Sequence, residues 1–205
     1  KVLITGSSAF IGTNLMKKLI DEKFYSILGI DIQPPKIESH NEFMKKVDIT
    51  DEVKLTEVIE GFNPNFIIHL AARTDLNGKS LLEYSANIKG VDVLLNVVKG
   101  LKNIERVIFT SSMYVCVPGY SPINENDYKP HTIYGESKVI TEKLVKNFDK
   151  KYKWSIVRPT SIWGPWFGEP YKNFFDVILS NRYFHMGPKV CSKTYGFIDN
   201  VEIWE

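Results

Sequence analysis

Lys1-Val2-Leu3-Ile4-Thr5-Gly6-Ser7-Ser8-Ala9-Phe10-Ile11-Gly12 is the stretch that decides the fold. Residues 1–5 are a short apolar run, consistent with a buried strand. After the glycines, Leu15, Leu19 and Ile20 fall at helical spacing. The segment therefore reads as strand, tight turn and helix, the context in which a glycine motif carries information. Gly6 permits the turn, and Gly12 lets the helix pack on the sheet. Amides exposed at such a helix start suit a pyrophosphate. The middle glycine position holds Ala9, whose methyl narrows that approach without blocking it.

The next strand ends at an acid. Ser26-Ile27-Leu28-Gly29-Ile30 runs into Asp31 and Ile32. A carboxylate about 20 residues after the glycine loop is placed to bind a ribose diol and to repel a 2′-phosphate. No arginine or lysine follows within four residues, the first being Lys36. NAD is thus expected over NADP.

The pattern continues outward. Strands are expected at 1–5, 26–31, 43–47, 66–70, 106–110 and 154–158, and helices at 12–22, 51–60, 80–99 and 134–150, with Asp51 capping the second helix. Alternation of this kind predicts an α/β fold: a Rossmann-type, doubly wound parallel sheet with helices on both faces. The expected organisation is a dinucleotide-binding domain over 1–160 and the start of a smaller substrate lobe over 161–205. The 26 basic and 24 acidic residues leave a net charge of +2, so no nucleic-acid or membrane partner is implied. Cys116 and Cys191 give neither a disulfide framework nor a zinc spacing, and four scattered histidines suggest no metal. The given residues contain no membrane-length apolar run, and a chain without a signal peptide in a reducing, cytoplasmic setting is expected.

Two further segments carry chemistry. Thr110-Ser111-Ser112 ends the fifth expected strand, the edge where ligands of open α/β sheets bind. Its hydroxyls suit a substrate oxygen, although such residues also satisfy backbone groups at strand ends. Tyr134 and Lys138, in Tyr-Gly-Glu-Ser-Lys, stand one helical turn apart. A phenol beside an ammonium ionises more readily, which suits proton transfer at a hydroxyl or carbonyl.

Taken in order, several segments resemble one family. They are Thr-Gly-Ser-Ser-Ala-Phe-Ile-Gly (5–12), Asp31, Val-Asp-Ile-Thr-Asp (47–51), Ile-Ile-His-Leu-Ala-Ala (67–72), Asn87, Phe-Thr-Ser-Ser (109–112), Tyr-Gly-Glu-Ser-Lys (134–138) and Arg-Pro-Thr-Ser-Ile-Trp-Gly-Pro (158–165). The chain resembles the extended short-chain dehydrogenase/reductases, in the NAD-dependent epimerase/dehydratase group that acts on nucleotide sugars. That resemblance implies Gly6, Ala9, Phe10, Ile11 and Gly12 at the pyrophosphate, Asp31 and Ile32 at the adenosine ribose, and Asp48 and Ile49 beside the adenine. It further places Leu70, Ala71, Ala72, Asn87 and Pro159 along the cofactor, and Arg73, Thr74, Ser112 and Ser161 toward the substrate. Ser112 and Tyr134 would be catalytic, Tyr134 as the base. Lys138 would bind the nicotinamide ribose and depress the tyrosine pKa. A homodimer through helices 80–99 and 134–150 is also implied.

Small departures bear on subtype. The family's 4,6-dehydratases place Asp-Glu after the catalytic residue; here Met113-Tyr114 follows Ser112, which favours an epimerase or a reductase. Ser161 stands where many members carry a sugar-contacting asparagine. Cys116 reads as a small buried residue. The aromatics at 163–184 read as core of the substrate lobe, or in part as a platform for a base, with Arg182 a surface residue or a diphosphate contact. The ending at 197–205 shows no helical closure, and the start lacks methionine, so a longer protein is expected.

Overall fold

The computed structural model describes residues 1–23, 26–149, 151–168, 171–184 and 194–201. The chain divides into two compact units, Lys1–Pro159 and Thr160–Glu205. In the first, six parallel strands line up in the order β3-β2-β1-β4-β5-β6: β1 (Val2–Thr5), β2 (Ile27–Asp31), β3 (Met44–Lys46), β4 (Phe66–His69), β5 (Arg106–Thr110) and β6 (Lys153–Val157). This is the doubly wound order, whose topological switch point lies between β1 and β4.

Side-chain alternation along the strands sorts the core into two layers. Leu3, Leu28, Ile67, Val107 and Phe109 face α2 (Glu52–Phe62), α3 (Ser85–Lys99) and α4 (Ile133–Asn147), meeting Leu55, Ile59, Leu94, Val98 and Val145. Val2, Ile4 and Ile27 point the other way, to Leu15 and Met16 of α1 (Phe10–Glu22). Reversing direction at the switch point moves the crossover helices to the opposite face, as right-handed connections require.

Local chemistry sets the helix limits. Asp51 caps α2 by accepting from Lys54 N at 3.1 Å, and Thr132 caps α4 by accepting from Gly135 N at 3.0 Å. Most expected boundaries shift by one or two residues; the ends of α3 and α4 move further. The helix anticipated at 80–99 begins as a 3-10 turn at Leu81–Tyr84, and α3 proper starts at Ser85. Tyr84 leaves helical geometry (φ −104°, ψ 15°), and its hydroxyl donates to Asp75 O and accepts from Gly78 N. The helix anticipated at 134–150 stops at Asn147, because Phe148 turns extended and packs on the core. A 3-10 turn at Glu38–Phe43 precedes β3.

In the second unit, β7 (Ser161–Trp163) pairs in parallel with β8 (Tyr195–Phe197), accompanied by α5 (Tyr171–Leu179). Contrary to expectation, a short helix, α6 (Ile198–Val201), follows β8. Trp163 lies against Phe175 and Phe197 with ring centroids 5.6 and 4.9 Å apart. The aromatics thus pack on one another without forming the expected closed core: Trp163, Trp166, Phe174, Tyr183 and Phe184 are all exposed. Arg182 is exposed, and Cys191 lies outside the described residues.

Candidate active site

The glycine turn closes on the end of β4. Gly6 has φ +74°, and a Cβ there would stand 2.7 Å from Ala71 N, so no side chain fits. A Cβ on Gly12 would collide with Gly6 O. Ala9 keeps an ordinary extended backbone (φ −76°, ψ 177°), exposes its methyl, and gives the first turn of α1 no side-chain cap. Phe10 and Ile11 open that turn half-buried.

From this turn a cleft of about 630 Å³ runs along the strand ends, a volume suited to a dinucleotide. It brings together Gly6, Ala9, Asp31, Ile32, Asp48, Ile49, Leu70, Ala71, Ala72, Arg73 and Asn87 of the expected residues. Ser8, Gln33, Pro34 and Lys36 join them, and sequence reading had not singled out the first three. Ser8 N donates to Asp31 Oδ2 at 2.9 Å, its hydroxyl donates to Gln33 O at 2.8 Å, and Gln33 N donates to Asp31 Oδ1 at 2.9 Å. The carboxylate is thereby held in place with lone pairs to spare. Ser8 lay in plain view inside the glycine turn. Lys36 was visible as the first basic residue after Asp31, but only the fold puts it on the cleft wall.

The cleft floor is braced by buried polar groups. Thr5 Oγ1 accepts from Ala71 N at 3.1 Å and pairs with His69 Nδ1 at 2.7 Å. Burial, followed by the Lys138 charge, pushes His69 down to about 3. Asn87 accepts from Arg73 N and donates to Arg73 O and to Ser137 Oγ, tying the chain after β4 to α3 and α4. The Arg73 guanidinium is engaged as a clasp: Nε and Nη2 donate to Asp75 at 2.6 and 3.1 Å, and Nη1 donates to the Glu83 carbonyl and carboxylate. Thr74 is exposed in the same loop.

Ser112, Tyr134 and Lys138 assemble where β5 ends, and all three are buried. A Cβ on Gly135 would collide with Tyr114 O, so α4 starts tight against the 3-10 turn at Met113–Val115. Ser112 Oγ accepts from Tyr114 N at 3.2 Å, and Met113 N donates to Pro159 O at 3.0 Å. The rings of Tyr84 and Tyr114 flank Tyr134 at 6.0 and 6.1 Å. Burial pushes the Tyr134 phenol up to about 12; a hydrogen bond with Ser112 opposes the rise, and the neighbouring phenols add to it. Burial takes Lys138 down to about 8 against the pull of Glu142. The expected depression of the tyrosine pKa by Lys138 is therefore not met. Lys138 Nζ donates to Thr110 O at 2.9 Å and lies 5.9 Å from the Tyr134 ring centroid, and desolvation dominates at the phenol. Ser161 is buried at the start of β7 in the second unit. Cys116 is half-buried, its thiol 3.6 Å from Asp127 O.

Among the described residues, no group of three or more His, Cys, Asp or Glu could hold a metal, and no helix is long and apolar enough to cross a membrane.

Residues 2–183 match the NAD dependent epimerase/dehydratase family, and the chain belongs to it. It is 27% identical to a 3-beta-hydroxysteroid dehydrogenase of Mycolicibacterium neoaurum, over 89% of this chain and 53% of that protein. It is 31% identical to a dTDP-4-dehydrorhamnose reductase of Aggregatibacter actinomycetemcomitans (87% and 56%) and 28% identical to an N-acetyl-alpha-D-glucosaminyl-diphospho-ditrans,octacis-undecaprenol 4-epimerase of Escherichia coli O157:H7 (98% and 60%). The chain thus spans a little over half the length of these relatives. The fold is shared with a Thermotoga maritima UDP-glucose 4-epimerase solved with UDP-glucose, at TM-score 0.82 and 24% identity, covering 98% of this chain and 70% of that one.

Proposed function

We propose that the protein is an NAD-dependent epimerase of nucleotide sugars. The observation that carries this reading is the buried cluster of Ser112, Tyr134 and Lys138, the lysine one turn beyond the tyrosine on α4, at the same sheet edge as a dinucleotide-sized cleft. The cleft residues fit NAD: Gly6 and Ala9 line the cleft at the α1 start, where a pyrophosphate would sit, and Asp31 offers an oriented carboxylate to a ribose diol. Bound there, NAD supplies the transient acceptance and return of a hydride. Ser112 holds the sugar oxygen, Tyr134 takes its proton and later gives it back, and Lys138 supplies the positive charge that favours the phenolate. The phenol has to be brought down from about 12 for this task.

The absence of an acidic pair after Ser112 supports epimerisation over dehydration, since epimerisation needs no elimination acid. Similarity to a reductase at 31% identity supports a second reading, reduction of a keto-sugar. The two differ in cofactor accounting, as an epimerase returns NAD unchanged and a reductase consumes NADH stoichiometrically. Dimerisation through α3 and α4, adjacent on one face, and a cytoplasmic setting belong to the same proposal.

Calorimetry with NAD and NADP, followed by turnover assays on a panel of UDP-, dTDP- and GDP-sugars, tests it. Tyr134→Phe should retain NAD binding and lose on the order of 10²–10⁴-fold in turnover. Unchanged turnover in that variant would refute the mechanism.

A further inference from the structure

Glu142 lies one helical turn beyond Lys138, with its side chain 1% exposed. It anchors a cluster of charges that the proposed reaction does not use. Its Oε1 accepts from Arg158 Nε at 2.8 Å, and its Oε2 accepts from Arg158 Nη2 at 2.7 Å and from the Tyr128 hydroxyl at 2.9 Å. Lys146 Nζ stands 3.7 Å from Oε2 and donates to the Tyr128 hydroxyl and to Glu125 O. Arg158 Nη2 also donates to Glu125 O. Three pieces of chain meet here: α4, the chain leaving β6, and the loop that joins Ser112 to the start of α4.

Glu142 and Lys138 are also i,i+4 neighbours on α4, one turn apart, and the carboxylate raises the proton affinity of the buried ammonium. Lys138 has a neutral acceptor in Thr110 O, and the titratable groups around it are His69 on β4 and Tyr134 and Glu142 on α4. His69 and Tyr134 are both held neutral near pH 7, so neither can offset its charge. Burial raises Glu142, but hydrogen bonds led by those from Arg158 more than offset this and keep it ionised.

We infer that Glu142 is a positioning residue for the Tyr134/Lys138 pair: one turn beyond Lys138 on α4, it bolts their helix to the loop through Tyr128 and to the end of β6 through Arg158, and it sets a carboxylate beside the Lys138 ammonium. The consequence for catalysis rests on the proposed function; the test does not.

The test is an NMR titration of the protein labelled with ¹³C at lysine Cε, free of NAD and substrate. The Lys138 resonance is assigned by its loss in Lys138→Met. In Glu142→Gln the Lys138 midpoint should fall by about one pH unit, a tenfold loss of proton affinity, and Glu142→Asp should recover part of it. Because Glu142→Gln strands the Arg158 charge, Glu142→Gln/Arg158→Met removes both partners and should give a smaller shift in the same direction. The coupling is reciprocal, so in a second sample labelled with ¹³C at glutamate Cδ, the Glu142 resonance being assigned by its loss in Glu142→Gln, Lys138→Met should raise the midpoint of the Glu142 carboxyl. A Lys138 midpoint unmoved in the folded variants, or a Glu142 midpoint unmoved in Lys138→Met, overturns the inference. NAD binding is read separately by calorimetry, so failure of the functional reading is told apart from failure of this one.

Discussion

Asp31 accepts a hydrogen bond from the Ser8 amide at 2.9 Å, locking the end of β2 to the glycine turn. With Gln33 N on its other oxygen, the carboxylate reaches the cleft already oriented. Hydrogen bonds to a charged group contribute about 1.5–3 kcal/mol, so Asp31→Ala should weaken NAD binding by roughly 10–100-fold. NADP should lose much less, because the repelling charge goes too, and Lys36 remains on the cleft wall. Calorimetry on both cofactors checks this. Tighter binding of NADP than of NAD by the unaltered protein would defeat the argument.

Ala9 and Gly6 should respond in opposite ways to exchange. Ala9 sits at φ −76°, where glycine is not required, so Ala9→Gly should cost about 0.4–1 kcal/mol of stability through unfolded-chain entropy. It should also tighten NAD binding a few-fold if the methyl crowds the pyrophosphate. Gly6→Ala combines positive φ with collision against Ala71 and should be far more damaging. Denaturant midpoints together with NAD titrations separate the two.

The fold was legible because its evidence is periodic. Apolar runs and helical spacing marked six strands, and the glycine turn fixed the first crossover. Most boundaries shift by a residue or two, and the largest shifts are those set by single side chains reaching along the chain or into the core, Tyr84 toward Asp75 and Phe148 onto the sheet. The site separates the same way. Ser112, Tyr134 and Lys138 stand out by type and spacing, and the fold brings them together. Electrostatic consequence was not legible: the spacing suggests a lysine that acidifies a tyrosine, whereas burial, which a sequence does not report, pushes the phenol up. Nor did a sequence reveal that Arg73 is engaged by Asp75 and Glu83, or that the buried Glu142 pairs with a half-buried Arg158, 16 residues away.

Acid sensitivity should concentrate at His69. Burial holds it neutral in the fold, down to about 3, against an ordinary value of 6.5. Between those values the unfolded chain binds the extra proton and the folded chain does not. Stability should therefore be lost as pH falls from about 6.5 toward 3, by as much as about 1.4 kcal/mol per unit. His69→Gln, which cannot be protonated, should flatten that part of the profile while costing stability at pH 7 through poorer packing. Urea unfolding at pH 4, 5, 6 and 7 gives both curves, and parallel slopes would show that His69 is not the sensor.

Gly135 sets the distance between the catalytic helix and the Ser112 turn. An added Cβ would collide with Tyr114 O and stand 3.1 Å from Thr132 Oγ1, the capping oxygen of α4. Neither is the end of a flexible side chain, so the helix start must move. Gly135→Ala should cost about 1–3 kcal/mol of stability, the usual penalty of overpacking. It should also lower turnover beyond what the folded fraction explains, because Tyr134 is the adjacent residue and shifts with the helix away from Ser112. Gly61→Ala is the matched control: it lies inside α2, where a Cβ meets nothing within 4 Å, and should stabilise by about 0.4–1 kcal/mol with turnover unchanged. Thermal unfolding and turnover on the two variants, with NAD affinity as a third readout, check the argument. Equal behaviour of Gly135→Ala and Gly61→Ala would mean that the Tyr114 contact does not position the catalytic tyrosine.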